Sequence, residues 1–200
     1  MNKTSKSSRF ITVFLVMVII VSITQLVSAY SCIGYKLYSA ASYVPNQGYG
    51  QTSITHMGQA VQQWNTAAGT SIMSVSSSTH SNTSFPNRID KKFYVYRVNT
   101  GNGNYVGLCA WTTLGMEYET YDLLSDADIN LNMYFSWANS AQTNCYDVYS
   151  VFLHEAGHTV GLNDLYGSSD ASKVMYGYAS DNATKRSLTQ DDKNGAAHIY

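Results

Sequence analysis

The chain has 200 residues, with 12 Lys and Arg against 13 Asp and Glu, so its formal charge is −1 and only 12% of it is charged. That balance excludes a basic nucleic-acid surface, and the 44% hydrophobic and 13% aromatic content excludes a disordered chain. The length suits one domain, and no repeat or linker divides it.

Lys3, Lys6 and Arg9 give a positive start, Phe10 to Val27 follow as a mostly apolar run, and Val27-Ser28-Ala29 supplies small residues before Tyr30. This pattern predicts a signal peptide over residues 1–29 and a secreted, extracellular product. A membrane anchor retained at residues 10–27 is the alternative, because the run approaches bilayer-spanning length; Thr12, Ser22, Thr24 and Gln25 count against it. Residues 30–200 keep nine of the 12 basic residues and all 13 acidic ones, a charge of 9 − 13 = −4. They are expected to fold as one monomeric domain. In an oxidising compartment Cys32, Cys109 and Cys145 predict one disulfide and one remaining thiol. The spacing does not choose the pair. Cys109 with Cys145 is favoured because Cys32 sits beside the new N-terminus, where chains are mobile.

Along the chain, Ile54, Met57, Val61, Trp64 and Ala68 recur at three- and four-residue steps, which predicts an amphipathic helix over 53–68 that Gly69 ends. Residues 72–75, 93–98 and 105–111 are rich in β-branched and aromatic side chains and read as short strands. The Asn-Thr-Gly-Asn-Gly-Asn run at 99–104 reads as a turn able to close a hairpin between the last two. The clearest strand is 127–134, where Ala127, Ile129, Leu131 and Met133 alternate with Asp128, Asn130, Asn132 and Tyr134, giving one apolar and one polar face. A second helix is predicted over about 146–161, and a third from Thr189, a good N-cap, through Ile199. The class is therefore α+β: one sheet with helices packed against it.

The chemistry concentrates in residues 154–164, His-Glu-Ala-Gly-His-Thr-Val-Gly-Leu-Asn-Asp. Four residues is about one helical turn, so His154 and His158 project from one side and can offer two imidazole nitrogens to a single zinc ion. Glu155, turned about 100° from His154, is placed to act on a water rather than to bind the ion. Gly161 suits the helix end, after which the chain can turn back and bring the Asp164 carboxylate in as third ligand, leaving a fourth position open. With five His and three Glu in the chain, a shuffled sequence holds the His-Glu-x-x-His pattern with probability roughly 0.002, so chance is a poor explanation. On a helical wheel Phe152, Leu153, Ala156 and Val160 share one arc opposite the two histidines, which removes the reading of these as core histidines. The expected activity is hydrolysis at a zinc site with Glu155 as general base.

The motif resembles that of the metzincins, zinc peptidases with His-Glu-x-x-His-x-x-Gly-x-x-His or Asp followed by a methionine turn. Asp164 is the rarer third ligand, similar to that of the small snapalysin-type proteases. Val174-Met175-Tyr176-Gly177 resembles the methionine turn beneath the metal. Residues 126–131 and 188–192, with Ile199-Tyr200, resemble the matrixin-like branch. The resemblance implies a twisted mixed sheet with an active-site helix, a backing helix and a C-terminal helix. It also implies one catalytic zinc held by His154, His158 and Asp164, and an antiparallel edge strand, expected at 126–134, that binds extended protein or peptide substrates. Tyr178, three places after Met175, stands where the resemblance places a tyrosine that assists the oxyanion in some metzincins. Calcium is common in related enzymes, but no acidic loop here has its spacing. The alternatives are a binding protein on a decayed metzincin scaffold and a zinc amidase acting on non-protein amides.

Overall fold

The computed structural model describes residues 30–85, 90–103 and 105–200, so the expected signal segment lies outside it. In chain order the elements are β1 (Tyr35–Leu37), β2 (Ala41–Pro45), α1 (Gln51–Ala68), β3 (Met73–Val75), β4 (Phe93–Tyr96), β5 (Gly107–Tyr118), β6 (Tyr121–Leu131), β7 (Trp137–Ala138), β8 (Tyr146–Asp147), α2 (Val148–Val160) and α3 (Gln190–Ile199). The architecture is α+β, as expected. No helix among the described residues is long and apolar enough to cross a membrane.

The three predicted helices form because each has an apolar stripe and a fitting end. α1 buries Met57, Val61, Trp64 and Ala68 and stops at Gly69 in the left-handed region, φ 69°. α2 starts at Asp147, whose side chain accepts from Ser150 N–H, and stops at Gly161, φ 110°. α3 is capped by Thr189 with Asp192 in a reciprocal box. α1 backs α2: the Trp64 indole N–H donates to the Leu153 carbonyl at 2.9 Å in a fully buried contact. Burying side chains such as Phe152 and Leu153 contributes about 1.5–3 kcal/mol each and fixes which way the opposite face of α2 points.

The main sheet is mixed. β3, β2, β4 and β6 lie side by side in parallel, β1 pairs the first half of β6 in parallel, and β5 runs antiparallel along β6. Two expectations need correction here. Residues 99–104 do not close a hairpin, because β4 and β5 flank β6 instead of pairing with each other. The tight hairpin is β5–β6, closed between Tyr118 and Tyr121 with Glu119 at φ 59°. The edge strand is β5, not 126–134, since β6 is enclosed by β1 and β4 on one side and β5 on the other.

The polar face of β6 is buried as well. Asp126 accepts from the amides of Asp90 and Lys91, Asp128 from Tyr94, Asn130 from Val98 and Asn132 from Thr100. These side chains satisfy backbone donors of the segment lying beside β4, which is why alternation here does not signal solvent.

No disulfide forms: Cys32, Cys109 and Cys145 are all free. Cys109 points into the core from β5, with its Sγ 3.5 Å from the Thr159 hydroxyl, while Cys145 lies half-exposed before β8. Nor is Cys32 loose. It bridges Leu162, and the neighbouring Ile33 N–H donates to the Gly161 carbonyl at 2.8 Å.

Candidate metal centre and active-site cleft

α2 holds His154 and His158 on its half-exposed face, one turn apart, with their rings perpendicular. Past Gly161 the chain reverses in a Schellman-type end, Leu162 N–H donating to the Gly157 carbonyl at 3.0 Å. A Cβ at 161 would collide with the Tyr35 carbonyl oxygen, so glycine is required by space as well as by φ. Residues 31–33 then pair against 161–163, with Asn163 N–H donating to the Ser31 carbonyl at 2.7 Å, and this clamp delivers Asp164.

The structure brings the three sequence-predicted ligands together: one donor atom from each of His154, His158 and Asp164 lies within 4.8 Å of the other two. Each imidazole uses Nδ1 on a carbonyl, His154 on Val174 and His158 on Leu162, both at 2.8 Å. With the proton on Nδ1 the Nε2 lone pairs face inward, a second shell that metal-ligating histidines need. Asp164 Oδ1 sits 3.1 Å from His154 Nε2 and 3.6 Å from His158 Nε2, and it is buried without a hydrogen-bond donor. Three donor atoms thus converge, and two nitrogens with one carboxylate oxygen are a donor set that zinc accepts. Burial pulls the His154 pKa down, but the adjoining Asp164 carboxylate, the Glu155 charge and the Val174 carbonyl outweigh it and lift it to about 9. The cluster is a cation site in its electrostatics.

Below the histidines lies the methionine segment. Gly157, between them in sequence, has no room for a Cβ, which would collide with Met175 Sδ. Met175 therefore packs directly beneath the ligand-bearing turn. Asp192 of α3, 1% exposed, accepts from the Val174 and Met175 amides at 3.1 and 3.2 Å and so pins that segment from behind.

Glu155 is 5% exposed and faces β5. Its carboxylate accepts from the Cys109 amide, and a Cβ on Gly107 would lie 2.5 Å from Glu155 Oε1. Burial pushes the Glu155 carboxyl up, against the pull of His154 and His158. A cleft of about 580 Å³ opens here, bordered by Gly107, Leu108 and Trp111 of β5 on one side and by the segment through Tyr176 and Tyr178 on the other. Tyr178 stands on its rim, 61% exposed, its ring 5.3 Å from that of Tyr166.

The sequence reading missed four residues that shape this site. Tyr166 donates to Asp164 Oδ2 at 3.1 Å and so leaves Oδ1 for the imidazoles. Gly107 makes space for Glu155, Asp192 clips the methionine segment, and Lys185 lines the cleft. Only Tyr166, two places after Asp164, carried a local signal; the others act through contacts distant in sequence.

A helix presenting two histidines and a glutamate to a carboxylate after a glycine turn, above a buried methionine, defines a zinc metallopeptidase of metzincin type. The family model described as matrixin matches residues 34–200, and the chain belongs to the matrixin family. A search of curated proteins gave no match. Among solved structures, metalloproteinase-II from Bacteroides fragilis is similar at 14% identity and a TM-score of 0.43, covering 84% of this chain and 54% of that one. This chain thus spans about half the length of that protein. High choriolytic enzyme 1, a hatching-enzyme zinc protease from Oryzias latipes (medaka fish), is similar at 10% identity and a TM-score of 0.43, covering 84% of this chain and 93% of that one.

Proposed function

We propose that this matrixin is a secreted endopeptidase that cleaves extracellular proteins, with zinc held by His154, His158 and Asp164 and with Glu155 as general base. The observation that carries the reading is the meeting of three potential ligand atoms within 4.8 Å of one another beside a buried carboxylate. Zinc held there supplies Lewis acidity, polarising a peptide carbonyl and acidifying a water. Glu155 takes the proton of the attacking water and passes it to the leaving nitrogen, a transfer that its raised pKa favours. β5, whose outer backbone edge borders the cleft, aligns an extended peptide by strand addition. Tyr178 on the rim is assigned the task of donating to the developing oxyanion. Export rests on residues 1–29, and the mature domain acts as a monomer.

Casein digestion with metal analysis tests this. Glu155→Ala is expected to keep its zinc and lose at least about a thousandfold in rate, since it removes the proton acceptor. His158→Ala is expected to lose the metal itself. Normal turnover by the Glu155→Ala protein, or full zinc content in His158→Ala, overturns the assignment.

A further inference from the structure

The cleft continues past the metal cluster between the first turn of α2 and residues 176–185, where Asp147, Ser150, Val151, Tyr176, Ala183 and Lys185 line it. Two adjacent cations meet different circumstances there. Arg186 forks onto the Asp147 carboxylate at 2.9 and 2.5 Å and donates to the Asn139 carbonyl at 2.6 Å, so its charge and that of Asp147 answer each other. Lys185 has no ion pair among the described residues. Its ammonium lies over the face of Tyr176, 4.7 Å from the ring centroid. Its backbone is tied to α2, the amide donating to Ser150 Oγ at 2.8 Å, and the contact with the Tyr176 ring places the ammonium beside a residue of the cleft wall.

The other charges that reach this place do not answer Lys185. Asp192 acts on it from a distance, but that carboxylate is occupied by the amides of Val174, Met175 and Thr189 and by the Thr189 hydroxyl. Asp164 faces the imidazoles and Glu155 faces β5. Burial draws the Lys185 pKa below the ordinary lysine value, the mark of an ammonium short of water. Val151 and Ala183 line the same cleft with small apolar side chains.

We infer that Lys185 makes this end of the cleft a subsite for an acidic substrate side chain, so that the enzyme cuts next to, or within a few residues of, aspartate or glutamate. The inference deepens the endopeptidase reading and rests on it. Discrimination by a half-exposed ion pair is modest, about fivefold to tenfold in kcat/KM between glutamate and its neutral isostere glutamine.

Fluorogenic peptides identical except for Glu, Gln or Lys at each of three positions on either side of the cleaved bond, digested by the zinc-loaded protein, test it. One position is expected to show the order Glu over Gln over Lys, with the spread narrowing as salt rises. Lys185→Arg is expected to keep the order and Lys185→Glu to invert it, with zinc content and thermal melting showing that both variants are folded. Equal cleavage of Glu and Gln peptides at every position overturns the inference and leaves the endopeptidase standing. An acid preference that survives Lys185→Glu does the same. Failure to cut any of the peptides or casein overturns the endopeptidase reading and the inference with it.

Discussion

β5 and β6 are partners in one hairpin, yet they are held in place differently. Among the described strands β5 pairs with β6 alone, and its side chains from Trp111 to Tyr118 are largely exposed, Met116 at 50% and Tyr118 at 55% among them. β6 is buried on both faces, and its polar side chains capture backbone amides from residues 90–100. The chain, poor in Lys and Glu, uses Asp and Asn as internal clips. The strand that borders the cleft is left without them, whereas the start of α2 and the methionine segment are clipped by Asp147 and Asp192.

The strongest test of that contrast is Asp192, which performs for the methionine segment what the polar face of β6 performs for the strands. It accepts four donors, from Val174, Met175 and Thr189 backbone and the Thr189 hydroxyl, at 2.6–3.2 Å while 1% exposed. Asp192→Ala leaves buried amides unpaired and removes one half of the α3 capping box, so a loss of about 4 kcal/mol is expected in denaturant unfolding. A loss below about 1 kcal/mol would show that the clip is incidental. Asn132 follows, one residue past the end of β6. Fully buried, it accepts from Thr100 and Tyr134 and donates to the carbonyls of Gly101 and Tyr105. Asn132→Ala should cost about 3 kcal/mol by the same measurement. If Tyr118→Ala on exposed β5 cost as much, the distinction between the two strands would collapse.

Gly107→Ala sharpens the comparison from the β5 side. A methyl 2.5 Å from Glu155 Oε1 forces the strand away or turns the carboxylate. Because β5 has no Asp or Asn clips, it is expected to yield: unfolding stability falls by less than about 1 kcal/mol, whereas kcat drops about tenfold to a hundredfold through the misplaced Glu155 carboxylate, with zinc content unchanged. Stopped-time assays beside metal analysis read both. Loss of zinc in Gly107→Ala would show that β5 supports the ligands themselves and not only the base.

What could be read from the sequence follows the range of the forces involved. His154, Glu155, His158 and Gly161 are set by one helix and its end, so their spacing gave their geometry, and Asp164 needed only a turn a few residues long. The helices were legible because their apolar stripes are dense and their caps lie within four residues. The β5–β6 hairpin was not, because Glu119 occupies φ 59° at a turn without Gly, Asn or Asp to announce it. β6 was recognised as a strand and misplaced as an edge, since alternation fixes the period but not what the polar face meets. Gly107 and Asp192 contribute through partners 48 and 17 residues away, Glu155 and Met175 respectively, and nothing local marks such contacts.

The smallest expected effect concerns the clip at the start of α2, where charge can be separated from capping. Asp147 Oδ2 accepts from the Ser150 amide at 3.0 Å and the Arg186 fork closes on both oxygens. Burial alone would raise the Asp147 pKa; the Arg186 and Ser150 hydrogen bonds outweigh it and hold the carboxyl below its usual range. A carboxyl with a depressed folded pKa contributes stability that is fully present above its unfolded value, about 3.9, and is lost as pH falls through the lower folded one. In an Asp147→Asn protein the helix would still be capped, because asparagine is as good an N-cap as aspartate, so the substitution removes the charge alone. The variant is therefore expected to be about 1 kcal/mol less stable at pH 7, with the gap shrinking below about pH 4. A gap that stays constant from pH 7 to pH 3 would place the cost in altered packing and not in the ion pair, and would make this clip the equivalent of the neutral asparagine clips at Asn130 and Asn132, which hold their amides without any pH dependence.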